Sequence, residues 1–131
     1  MSYGFHATLS GPFDAVVAQV MDALKAEGFG VLSDIDIRKA MKDKLDKDVP
    51  AHRILGACNP PLAYKALQAE EDIGLLLPCN VTVRQGTGDE VVVGFLDPDL
   101  MVRLTGNPVL AEVSAEASAR LRRVRDALQQ G

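Results

Sequence analysis

Tryptophan is absent from the 131-residue chain, and cysteine and histidine occur only twice each. Two cysteines, Cys58 and Cys79, are too few for a disulfide-stapled miniprotein. Their wide spacing fits no zinc-ribbon pattern. The two histidines, His6 and His52, stand near no serine by pattern, so no Ser-His-Asp set can be assembled. P-loop, GxGxxG, HExxH, GxSxG and CxxC motifs are all missing. Basic residues are outnumbered, 14 against 18, for a net charge of −4. Such a chain lacks the cationic excess that non-specific nucleic-acid binding needs, so no nucleic-acid partner is expected. No apolar run approaches the ~18–20 residues of a membrane span, so no membrane partner is expected either. Residues 1–8 show no basic stretch followed by an apolar one. No secretory signal is therefore expected, and the expected location is cytoplasmic, with reduced thiols.

What is present suffices for a core. Hydrophobic residues make up 47% and charged residues 24%, the balance of one globular domain spanning residues 1–131. Residues 3–9 alternate, with Tyr3, Phe5, Ala7 and Leu9 on one face, and predict a half-buried strand. Gly11-Pro12 opens a helix in which Phe13, Val16, Val17, Val20 and Leu24 recur at helical spacing, and Gly28 stops it. Residues 29–37 read as a second strand, with Ser33 and Ile35 sharing the face of Phe29 and Val31, and Asp34 and Asp36 opposite. Asp36 caps a short helix over residues 37–45. Residues 52–58 form a third strand, and Asn59-Pro60 starts a helix running to about residue 71. Residues 80–84 and 90–96 flank a glycine-rich turn and predict a hairpin. Asp97-Pro98-Asp99 leads into a short helical turn, and Asn107-Pro108 opens the last helix. There Leu110, Val113, Ala117, Leu121, Val124 and Leu128 step by three and four. Arg120, Arg122, Arg123 and Arg125 fall late in that helix, an order that complements its dipole. The predicted class is α+β: about five strands in the order β-α-β-α-β-α-β-β-α, with helices mainly on one face. The other face would carry His6, Thr8, Asp34, Leu55, Thr82 and Val92, a mixed surface that invites a homodimer or a ligand cleft.

Residues 54–61 read ILGACNPP and residues 73–83 read IGLLLPCNVTV. With the helix between them, these segments resemble the bacterial and archaeal domain of unknown function family 302. The resemblance extends over nearly the whole chain, including the amphipathic first helix, the short second helix and the Asp-Pro after the last strand. It implies a small α+β domain, often dimeric, with no assigned activity. Its two Cys-Asn positions fall on Cys58-Asn59 and Cys79-Asn80.

Cys58 directly precedes a helix start, where unpaired N–H groups favour anions and can lower a thiol's pKa. The following helix, ~18 Å long at 1.5 Å per residue, returns the chain along a strand. The apolar residues 73–77 can climb back ~16 Å, which brings Cys79 near Cys58 so that both thiols line one pocket. Were residues 73–84 instead one strand parallel to the third, Cys79 would lie mid-strand and the thiols too far apart for a bridge. Three functions follow. The first is a dimeric binding or sensing module with Cys58 and Cys79 holding a soft metal such as Cu(I), or cycling by oxidation. The second is an enzyme or small-molecule binder, with Cys58 as nucleophile or an anionic ligand at the Asn59 helix start, and Tyr64 as a pocket border. The third is a structural or interaction domain whose cysteines are small buried hydrophobes and whose Asn59 is only a cap. His52, on the face of Cys58 but ~20 Å along the strand, cannot share its ligand. Asp34 and Asp36 lie two apart on one face, as paired carboxylates do, though the capping role competes for Asp36.

Overall fold

The computed structural model describes residues 2–130. Five strands, β1 (Gly4–Ser10), β2 (Gly30–Asp36), β3 (His52–Cys58), β4 (Cys79–Gln85) and β5 (Glu90–Leu96), form one sheet ordered β1-β5-β4-β3-β2. Every neighbouring pair is antiparallel. The helices are α1 (Phe13–Ala26), α2 (Ile37–Leu45), α3 (Pro60–Ala69), α4 (Leu100–Thr105) and α5 (Ala111–Gln130). This is the α+β class and element order that the residue patterns predict. Among the described residues no helix is long and apolar enough to cross a membrane.

The main core forms where α1 and α5 lie on one sheet face. Val16, Val20 and Leu24 of α1 and Leu121, Val124 and Leu128 of α5 meet Phe5, Ala7, Leu55, Val81, Val83, Val91, Val93 and Phe95. Period-3.6 and period-2 stripes thus bury against each other. α1 ends in a Schellman motif. Gly28 takes φ +84°, its N–H donates to the Lys25 carbonyl, and the Phe29 N–H donates to the Leu24 carbonyl. Glycine adopts that conformation without the Cβ cost, and the buried Phe29 and Leu24 add the usual apolar contact. A second, smaller core gathers Ala66, Ile73, Met101, Leu110 and Val113 beneath α3, α4 and the start of α5.

Four expectations are corrected. A bulge between Val31 and Ser33 breaks the alternation of β2. Val31 opposes Ala57 on the core side, whereas Ser33 opposes Gly56 and Ile35 opposes Ile54 on the outer side. The extra residue of a bulge shifts the phase of everything after it, so Asp34 joins the core-side face at the sheet edge. Leu55 is likewise on the core side and fully buried. Of the residues assigned to the outer face, His6, Thr8, Thr82 and Val92 do lie there, by alternation with the buried Phe5, Ala7, Val81 and Val93. Residues 73–77 do not extend. Glu71–Leu76 winds as a 3-10 helix, with Ile73 buried and Leu75 exposed, and β4 begins only at Cys79. Pro78 carries no N–H, so a ladder cannot include it as a donor. β4 is antiparallel to β3, which removes the parallel alternative.

The late arginines of α5 also differ from expectation. α5 continues to Gln130 and its last turn holds no basic residue, so dipole matching does not explain them. Each instead has a local partner. Arg120 donates to the Glu27 carbonyl at 2.9 Å, and Arg123 donates to the Glu27 carboxylate at 3.0 Å. Arg122 and Arg125 lie over the Phe5 ring, 4.3 and 5.3 Å from its centroid. The guanidinium groups therefore lock α5 onto α1 and β1, and the long stems cover apolar surface.

Candidate thiol site

Cys58 is the last residue of β3, and Cys79 is the first of β4. Ladder register sets Cys79 opposite Ala57, one residue from Cys58. Both cysteines are free thiols, Cys58 half-buried and Cys79 buried. They line the same cavity, which lies at the seam between the two cores. Phe29, Ala57 and Cys79 border it from the main core; Ala66, Met101 and Val113 border it from the smaller one. Its free room for a water-sized guest is ≈ 20 Å³. A single water needs roughly 10–15 Å³ on that measure, so the space has room for one water or one ion.

Local features shape this seam. Asn59 caps α3, its side-chain oxygen accepting from the Leu62 N–H at 3.3 Å, and Pro60 and Pro61 begin the helix. Asn59 lines the cavity, with its side-chain oxygen committed to this cap. Gly56 is required where Ser33 and Pro78 both approach β3. A Cβ there would collide with Ser33 Oγ and stand 2.7 Å from Pro78 Cγ. The absent side chain lets Pro78 seat against β3 beside Cys79.

Burial pushes both thiols up. Cys58 is raised by loss of hydration alone. Cys79 is raised to about 11, first by burial and then by the charge that Cys58 would carry. The helix start does not reverse this, because the free N–H at the cap is taken by the Asn59 oxygen and the two prolines have none. The expected lowering of the Cys58 pKa is thus corrected: burial raises it. Apart from the thiols the lining holds no titratable side chain, so no base stands beside a nucleophile.

The other sequence candidates lie elsewhere. Tyr64 is exposed, accepts a hydrogen bond from Gln68 at 3.0 Å and does not border the cavity. Asn80 is exposed on the outer face, where it shares a wide groove with Tyr3, His6, Thr82 and Leu96. His52 sits at the far end of β3, beside Arg84, with its Nε2 enclosed and unpaired. Burial, then the Arg84 charge, lowers its pKa. Asp34 is gripped by the Arg53 guanidinium, Nε at 2.7 Å, which lowers its pKa; Asp36 accepts from the Lys39 N–H at 2.9 Å. Their carboxylates serve an ion pair and a cap, not a paired acid-base site. Among the described residues no group of three or more His, Cys, Asp or Glu side chains is placed to hold a metal. Sequence reasoning missed Met101, which pattern alone marks only as a residue of a short helix.

Fold and site together define an antiparallel five-stranded α+β domain with a thiol-lined seam between two cores. The sequence matches the family described as domain of unknown function DUF302 over residues 5–128, and the chain belongs to that family. The fold is similar to the crystal structure of an uncharacterized conserved DUF302 protein from Bacillus stearothermophilus. The TM-score is 0.89 at 26% identity, covering 98% of this chain and 99% of that one. No curated protein matches the sequence.

Proposed function

We propose that this domain is a binding or sensing module whose Cys58–Cys79 site takes one soft cation, such as Cu(I). The observation that carries the reading is that the chain's only two cysteines, from different strands, line one ion-sized cavity. Thiolates select soft ions, and a monovalent soft ion is content with few ligands. Zinc wants four, and the described residues supply no third His, Cys, Asp or Glu at the site. Both cysteines are free thiols, as ion binding requires, and the ladder sets them one residue out of step. Cys79 opposes Ala57, not Cys58. The reduced thiols that the site needs fit a cytoplasmic setting.

The test is anaerobic Cu(I) titration against a chromogenic chelator. The unaltered chain is expected to take up one equivalent, and Cys58→Ser and Cys79→Ser each to abolish uptake. Unchanged uptake by the double variant would sink the reading.

We further infer a homodimer through the outer sheet face. The exposed Ile35 and the partly exposed Ile54, Val92 and Leu96 leave that face apolar in part. Sedimentation at micromolar concentration is expected to show a dimer; a strictly monomeric species argues against it.

A further inference from the structure

We infer that Met101 supplies a third sulfur ligand, making the site a two-thiol, one-thioether centre selective for a monovalent soft cation. This rests on the thiol-site reading above and extends it to the class of ion.

Three observations carry it. First, Met101 is buried at 4% exposure and lines the same cavity as both cysteines. Second, it comes from the opposite wall: Cys79 belongs to the main core and Met101 to the smaller one, so the cavity has a sulfur-bearing residue on each side. Third, nothing else in the lining competes. The remaining side chains are hydrocarbon except Asn59, whose oxygen is bonded to the Leu62 N–H.

Met101 is also well held. Asp97-Pro98-Asp99 turns the chain out of β5, with the Asp99 N–H donating to the Asp97 carboxylate at 3.0 Å and the Met101 N–H to the Pro98 carbonyl at 3.0 Å. Ser114 of α5 donates to Asp99 at 3.1 Å, which ties the start of α4 to α5. The backbone at Met101 is thereby set, while its unbranched side chain keeps the freedom to adjust to a guest.

The chemistry is that of a soft site. A thioether is neutral, carries no proton and selects Cu(I) over Zn(II). Uptake of a monovalent ion forms two metal–thiolate bonds and one metal–thioether bond. The two thiol protons leave to solvent, and no electron is transferred.

The experiment uses the full chain with its methionines replaced by selenomethionine and loaded anaerobically with Cu(I). X-ray absorption is expected to show a copper–selenium neighbour beside the sulfur shell. Met101→Leu is expected to lose that neighbour and to bind Cu(I) at least about tenfold more weakly. Sulfur scattering without selenium in the unaltered chain would overturn the Met101 assignment while leaving the thiol site standing. No Cu(I) uptake at all would overturn both. Zn(II) bound as tightly as Cu(I) would overturn the selectivity. The selenium readout needs no substitution, so a Met101→Leu chain that fails to fold does not spare the proposal.

Discussion

At pH 8, Cys79 is expected to react with iodoacetamide more than about a hundredfold slower than an unperturbed thiol. Its pKa is pushed up to about 11, which leaves ~0.1% thiolate at that pH, against roughly a quarter for a free thiol of pKa ~8.5. Burial of the sulfur slows it further. Cys58, half-buried and raised by desolvation alone, should react between these limits. Peptide mass spectrometry of alkylation across pH 6–11 reads both residues at once. A Cys58 profile centred below ~8.5 would restore the nucleophile reading. The same shift has a stability consequence whose sign is definite. Between the unfolded and folded pKa of Cys79 the native chain holds a proton that the unfolded chain has lost. Stability is therefore full below about pH 8.5 and declines as pH rises toward 11. Cation binding runs the opposite way. A proton competes for each thiolate, so apparent Cu(I) affinity is expected to climb with pH over the same window.

Leu121→Ala is expected to cost about 2–5 kcal/mol of folding stability, the range for a fully buried leucine whose loss leaves a cavity. Leu121 has no exposed surface and sits where α5 meets the sheet. With an unfolding entropy of ~2.1 cal/mol/K per residue, the midpoint falls by roughly 7–18 °C. Leu75→Ala is the contrast. That side chain is 87% exposed on the 3-10 helix, and its loss should stay within about 0.5 kcal/mol. Thermal unfolding of the two variants side by side checks both. Similar losses would mean that Leu75 is covered, which in this chain would require a partner.

Much of the fold was readable because its signals are local. The caps at Asp36 and Asn59, Gly28 after α1, and the turn between β4 and β5 each act within a few residues. The stripe of α5 is long enough that no other period fits it. The misreadings have a common cause. The bulge in β2 moves Asp34 to the core-side face without any mark in composition. Residues 73–77 are apolar in either form, and only the packing of Ile73 into the smaller core winds them as a 3-10 helix. The four arginines look matched to the helix dipole until Glu27 and Phe5 come beside them.

The site divides in the same way. Scarcity singled out Cys58 and Cys79, since a chain with two cysteines has few candidates for soft-metal chemistry. Element lengths and turn residues, all short-range properties, were enough for the class of fold. Three things depended on contacts between distant segments. Strand order made β3 and β4 neighbours and so brought the two cysteines to one seam. Burial there turned the expected drop in thiol pKa into a rise. And the meeting of two cores put Met101, some twenty residues past Cys79 in the chain, on the opposite wall. Desolvation and long-range packing are properties of the assembled chain, and no local pattern carries them.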